Sequence, residues 1–320
     1  MPVLDMPLKQ LKKYKGINPR PRDFEDYWDK ALEGMHALDP KVTLTPNSAI
    51  RVPFADCFDM YWTGVGGSRI HAKLLKPKDG ARSHPAVCLY HGYSGSTGDW
   101  SHKLSYVAAG FVVAAMDCRG QGGSSEDITS VKGTTLKGHI IRGLDDDPEK
   151  LMFRHVFLDA AQMARIVMAM DDVDAKRVGA TGASQGGGLT LACAALEPKI
   201  KRAAPVFPFL CDYQRVWEMD MAKRAYEELA YYFRNFDPTH SSEKEVFTKL
   251  GYIDNQHLAP RIKAEILMAV GLMDDICPPS SQFAAYNKIK SKKDMVIYPD
   301  FGHEGLPGFD DRVLNFMMGM

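Results

Sequence analysis

Along the chain, short continuous apolar runs alternate with longer stretches whose apolar residues recur every three or four positions. The runs 86–90, 111–116, 178–181, 203–207, 266–270 and 295–298 suit strands buried on both faces of a parallel sheet. Between them, 102–109, 156–170, 186–196 and 280–289 carry helical spacing, so the pattern predicts an α/β fold with right-handed crossovers. Ahead of these, Phe58, Met60 and Trp62 alternate with polar residues, and a second alternating run at 70–75 follows the Gly64 to Gly67 turn. This predicts an antiparallel hairpin at which the sheet begins. Behind Pro19 and Pro21, the spacing of Ala31, Leu32, Met35 and Leu38 predicts a helix packed on the main body.

Two segments break this rhythm. The stretch 122–153 is rich in Gly, Ser, Thr and Asp and predicts an ordered loop; 211–261 predicts two or more helices inserted after a strand. Long excursions at the carboxyl edge of a parallel sheet usually shape a binding site. The whole reads as one domain over 1–320, with an N-terminal helical extension (about 1–40) and a helical insertion (about 211–261).

Composition narrows the function classes. With 45% hydrophobic and 25% charged residues the chain is ordinary globular protein. Lys plus Arg and Asp plus Glu number 40 each, so no net field favours polyanions and no nucleic-acid partner is expected. No apolar run is long enough to span a bilayer. The first residues interleave apolar positions with Lys9, Lys12, Lys13, Lys15 and Arg20, unlike a signal peptide, which predicts a cytoplasmic location and no membrane partner. The six cysteines form no C-x-x-C pair, which argues against a zinc knuckle or a redox pair.

The chemistry concentrates after the predicted strands. Gly182-Ala183-Ser184-Gln185-Gly186 follows one strand and opens a helix, as a G-x-S-x-G nucleophile elbow requires. The serine must sit on a tight, strained turn, and the helix behind it aims free N–H groups at an anion forming on the substrate. His91-Gly92-Tyr93-Ser94-Gly95 follows the strand 86–90 and can supply the second oxyanion donor. The proposed donors are the backbone N–H groups of Tyr93 and Gln185, with His91 orienting the loop. A carboxylate and then a histidine should follow on loops after later strands. Asp274 and Asp275 both follow 266–270, and spacing does not choose between them; His303 follows 295–298.

With these residues in place, the chain resembles carbohydrate esterase family seven, the acetyl xylan esterases and cephalosporin C deacetylases of the α/β-hydrolase superfamily. The resemblance covers the whole length. It rests on Arg119-Gly120-Gln121-Gly122, Gly182 to Gly187, His303-Glu304, Cys277-Pro278-Pro279 with Phe283 to Asn287 behind it, and Pro21 to Trp28. It implies an α/β-hydrolase fold with a mostly parallel, doubly wound sheet, and it places the acid on Asp274, the residue after Leu272-Met273. It also implies the oxyanion donors Tyr93 and Gln185, and a ring-like homo-hexamer, a trimer of dimers, whose sites open inward to small acetylated substrates. Ser124-Ser125-Glu126, after Gly122-Gly123, does not match the family pattern. Arg119 and Gln121 read as structural, because a guanidinium at a strand end can satisfy several loop acceptors.

The reading is therefore a serine esterase that deacetylates small acetylated sugars, such as acetyl xylo-oligosaccharides, and cephalosporin C through an acetyl-enzyme. The expected catalytic residues are Ser184, Asp274 and His303, with no metal or organic cofactor. Phe207, Phe209 and Ile276 are candidates for a small acyl pocket or for plain core, and Trp100 for sugar stacking or packing. A prolyl-oligopeptidase-like peptidase would want a propeller ahead of the hydrolase domain. A lipase would want an apolar lid, whereas 211–261 mixes in Arg215, Glu218, Lys223, Arg224, Glu227 and Glu228. A haloalkane dehalogenase would need Asp at position 184. A catalytically silent binding protein would have lost a triad member, and none is lost.

Overall fold

The computed structural model describes residues 4–132, 138–221 and 223–320. In chain order, α1 (Leu8–Leu11) and α2 (Phe24–Ala37) precede strands β1 (Thr43–Pro46), β2 (Ala55–Thr63), β3 (Arg69–Pro77) and β4 (His84–Tyr90). Then come α3 (Leu104–Ala108), β5 (Val112–Met116), α4 (Met152–Met168), β6 (Val173–Ala183), α5 (Gln185–Leu196) and β7 (Arg202–Val206). The helices α6 (Tyr213–Glu218), α7 (Glu227–Phe236), α8 (Glu243–Leu250) and α9 (Asn255–Leu258) fill the insertion. The chain closes with β8 (Glu265–Gly271), α10 (Pro279–Lys288), β9 (Lys293–Tyr298) and α11 (Phe309–Met318).

The strands form one sheet in the order β1-β2-β3-β5-β4-β6-β7-β8-β9. β1, β2, β3 and β5 pair antiparallel in succession, and β5, β4, β6, β7, β8 and β9 run parallel. All five residues of β5 are buried, as a strand covered on both faces requires. One face packs on α2, α4 and α5, with Trp28, Phe157 and Leu191 in its core; the other packs on α3 and α11 through Val107, Phe111, Val313 and Met317. This is the α/β-hydrolase architecture. The connection from β4 runs outward to β5 and then crosses back over to β6, so the carboxyl ends of β4 and β6 meet at the point where the strand order reverses. A crevice forms there, because successive connections leave in opposite directions.

The expected hairpin is β2 with β3, but the sheet begins one strand earlier. All four residues of β1 are exposed, so its sequence Thr-Leu-Thr-Pro offered no buried face to read. α11 also went unread, although Phe309, Val313 and Met317 recur at helical spacing and are buried. In the loop expected at 122–153, the described residues carry one short 3₁₀ turn, Pro148–Lys150, before α4 begins at Met152; 133–137 lie outside the described residues. Among the described residues no helix is long and apolar enough to cross a membrane. All six cysteines are buried and unpaired.

Candidate active site

Ser184 sits between β6 and α5 with φ 58° and ψ −120°, a backbone state that costs a non-glycine residue about 1–3 kcal/mol. Its neighbours make that turn possible. A Cβ on Gly186 would lie 2.2 Å from the Tyr90 carbonyl oxygen, so only glycine lets the start of α5 close on the end of β4. The Ser184 N–H donates to the Val206 carbonyl at 3.0 Å, and its own carbonyl accepts from Gly188 and Phe209, both at 3.0 Å. The serine is thus gripped by backbone on both sides while its half-buried side chain faces the crevice. α5 is buried along its whole length, and its first N–H groups have no ladder partner.

The loop after β4 closes the other wall. Among the described residues the Tyr93 N–H has no acceptor, and Gln185, as the first residue of α5, leaves its N–H outside the helix ladder. The Gln121 and Gln185 amides pair reciprocally at 3.0 and 3.1 Å, and Gln121 Oε1 also accepts the Ser94 N–H at 2.9 Å. Gln121 therefore ties the turn after β5 to both proposed donor segments. Arg119 is fully buried and holds Asp159 of α4 through two bonds of 2.7 Å, with further bonds to Ser68 and the Val65 carbonyl. Its fork is spent on structure. His91 Nε2 accepts the Cys118 N–H at 3.0 Å while Nδ1 meets the Gly92 carbonyl at 2.7 Å, and burial lowers its pKa.

The two aspartates differ in burial and in partners. Asp275 is exposed, whereas Asp274 is fully buried and its Oδ2 lies 2.9 Å from His303 Nδ1. Asp274 Oδ1 accepts the Ile276 and Cys277 N–H groups at 2.9 and 2.8 Å, and Gln282 reaches Oδ2 at 3.3 Å. A Cβ on Gly271 would lie 2.3 Å from the Phe301 carbonyl oxygen, so this glycine lets the acid loop and the histidine loop pack against each other. No hydrogen bond joins Ser184 to His303 here. Cys277 follows the acid on the same turn, and its thiol pKa is raised well above the ordinary value by burial and by the Asp274 carboxylate. Such nucleophile–base bonds are often loose without substrate and tighten once it binds.

Asp274, Cys277 and His303 each bring one potential metal-ligand atom within 4.8 Å of the others. The thiol is held in its protonated form, and the Asp and His atoms are bonded to each other, so the set is a hydrogen-bonded cluster as it stands. Phe207, at φ 31°, lays its ring 4.5 Å from that of His303. Phe209 is fully buried between Tyr93 (5.7 Å) and Tyr226 (4.3 Å), and Ile276 is half-buried beside Asp274. Trp100 packs in the cluster on the α3–α11 face, with Lys73 Nζ 5.1 Å from its ring centre. Glu228, which counted among the charged residues of the insertion, is 3% exposed and bonds the Tyr93 hydroxyl. No local signal could have paired these two residues, which lie 135 positions apart.

The sequence matches the acetyl xylan esterase family, AXE1, over residues 1–320. An acetyl xylan esterase from Thermoanaerobacterium sp. JW/SL YS485 is 58% identical, with 99% of each chain covered and a TM-score of 0.97. One from Paenibacillus sp. R4 is 36% identical, covering 98% of this chain and 99% of that one, with a TM-score of 0.94. Acetyl esterase Axe7A of Xylanibacter ruminicola is 25% identical over 292 residues, 89% of this chain; the match spans 64% of that relative's length. The chain belongs to the acetyl xylan esterase family and is a serine carboxylesterase of the α/β-hydrolase fold.

Proposed function

We propose that this acetyl xylan esterase family member removes acetyl groups from small acetylated sugars, with Ser184 as nucleophile, His303 as base and Asp274 as the acid that orients it. One observation carries the reading: a serine in a strained strand-to-helix turn shares its crevice with a histidine whose Nδ1 is bonded to a buried carboxylate. His303 Nε2 takes the Ser184 proton as Oγ attacks the acetyl carbon. The Tyr93 and Gln185 N–H groups stabilise the oxyanion, and the proton passes to the departing alcohol. Water then attacks the acetyl-enzyme by the reverse proton route and releases acetate. Acetylated xylo-oligosaccharides fit the activity of the similar structures, and cephalosporin C is a second ester of the same acyl group. A single domain, a homo-hexamer and a cytoplasmic location belong to the same proposal; six unpaired buried thiols fit a reducing compartment.

The test is an acyl series on one leaving group. Acetyl should outrun butyryl by about 30-fold or more, since each of the two extra methylenes without room costs about 1–3 kcal/mol. Phe207→Ala, at the ring against His303, should narrow that gap. Equal rates on acetyl and octanoyl esters would point to a lipase-like enzyme instead.

A further inference from the structure

The helical insertion sends one buried carboxylate into the loops above the elbow. Glu228, in the first turn of α7, accepts the Tyr93 hydroxyl through Oε1 and the Ile141 N–H through Oε2 at 3.0 Å. The Tyr93 hydroxyl in turn accepts the His139 N–H at 3.2 Å. The segment at 138 presses so close that a Cβ on Gly138 would lie 2.4 Å from Glu228 Oε2. Phe209 stands edge-on to the Tyr93 ring, and its N–H is bonded to the Ser184 carbonyl. One carboxylate is therefore shared by α7, the loop after β4 and the segment 138–141, and the same ring contacts lead back to the nucleophile.

We propose that Glu228 is a positioning residue: its ionised carboxylate holds the Tyr93 side chain and the 138–141 backbone, and so fixes the direction of the Tyr93 N–H toward the ester carbonyl. This rests on the reading of Ser184 as nucleophile and Tyr93 as oxyanion donor. An oxyanion hole works only if its donors are fixed before charge develops. Here the Tyr93 loop is weakly held by its own backbone, with Gly92 and Ser94 exposed and Ser94 at φ 55°. The grip comes from side chains, Gln121 on the Ser94 N–H and Glu228 on the Tyr93 hydroxyl.

The partners of the Glu228 oxygens are donors, so a proton added to the carboxyl sets donor against donor and breaks a bond. Burial pushes this carboxyl up to about 7, against the hydrogen bonds that Tyr93 and the 138–141 backbone make to it. The titratable groups facing it are Tyr93, His139, Tyr213 of α6 and Glu227 on its own helix. Burial drives both tyrosines upward, away from the neutral range, and the His139 imidazole downward, opposite to the upward push on Glu228. Ionisation then has opposite effects. A carboxyl raised in the folded state stabilises the fold most below its ordinary value and loses that contribution as pH rises to about 7, whereas the hole assembles as pH rises through the same window.

The experiment measures kcat and KM for 4-nitrophenyl acetate from pH ~5 to ~9 in the wild type, Glu228→Gln, Tyr93→Phe and Ser184→Ala. In the wild type the acid limb of log kcat should carry an extra fall of about tenfold as pH drops through about 7, because protonating Glu228 loosens the Tyr93 donor. Glu228→Gln should lack that extra fall, with kcat lowered about tenfold at high pH and KM within about twofold, as for one lost oriented bond. Tyr93→Phe keeps the backbone donor and the buried acid but cuts the link, so it should also lack the extra fall; it serves if the Gln variant does not fold. The extra fall retained in both variants, or kcat unchanged in Glu228→Gln, overturns the proposal. Full activity in Ser184→Ala would overturn the underlying reading instead.

Discussion

Two Ser/His/Asp sets are built into this protein from the same parts. In one, His303 Nδ1 meets Asp274 at 2.9 Å; in the other, His71 Nδ1 meets Asp117 at 2.6 Å, with Ser125 beside them. Both carboxylates are buried and both take backbone N–H groups from loops, Ile276 and Cys277 in one case, Thr97 and Ser124 in the other. The difference lies at the far end of each chain of bonds. His71 Nε2 is occupied by Asp59 at 3.1 Å, and Ser125 spends its hydroxyl on the Asp117 carbonyl and the His71 N–H. Among the described residues His303 Nε2 has no hydrogen-bond partner, and Ser184 stands in a strained turn with no hydrogen bond from its hydroxyl to nitrogen or oxygen. An Asp–His bond orients a ring. Chemistry needs the other nitrogen left open toward a nucleophile that is not already hydrogen-bonded into the fold.

The comparison breaks most sharply at the two serines. Ser184→Ala should lower kcat about 10⁶-fold while leaving the far-ultraviolet circular dichroism unchanged, because removing a nucleophile forfeits nearly all that the triad contributes. Ser125→Ala should leave kcat within about threefold. A second, smaller separation is expected at the acids. Asp274→Asn should cost about 10⁴ in kcat through the wrong His303 tautomer, and Asp275→Asn, an exposed side chain, about twofold or less. Should the two substitutions exchange effects, the acid is Asp275 and the observed Asp274–His303 bond is structural.

Local geometry explains which of these residues were legible beforehand. The elbow could be read because its requirement is local: a strand, small residues and a helix in one short stretch, which 178–196 display. Asp274 and Asp275 could not be separated by spacing, since neighbours on a turn point in different directions and only the fold reveals which one is buried. The resemblance to a family pointed to Asp274, the one of the two that the fold buries against His303. Glu228 and Asp159 were illegible for a different reason. Each is one acid in a helical stretch, and its partner, Tyr93 or Arg119, is brought to it by strand order rather than by sequence distance. β1 was missed because it is short: Leu44 between Thr43 and Thr45 alternates, but four exposed residues are too few to stand out.

The smallest change in turnover is expected at the inert set, where its structural work should show instead. Asp117 gathers the Thr97 N–H at 2.6 Å, the Ser124 N–H at 3.0 Å and the His71 ring, so it ties two loops to the end of β5. Asp117→Asn should lower the unfolding free energy by about 1.5–3 kcal/mol, the range for hydrogen bonds to a charged group, while kcat of the folded enzyme changes about threefold at most. Burial raises the pKa of this carboxyl, but the bonds from His71, Ser124 and Thr97 outweigh it and hold the group at about 2, below its ordinary 3.8. A depressed carboxyl stabilises the fold fully above its ordinary value and loses that contribution as pH falls toward the folded one. Thermal melts between pH ~4 and ~2 should therefore drop more steeply for the wild type than for Asp117→Asn. If the variant instead lost turnover as Asp274→Asn does, with its melts unchanged, then the Asp117–His71 pair would be part of the chemistry, and an open Nε2 would not be what separates the two sets.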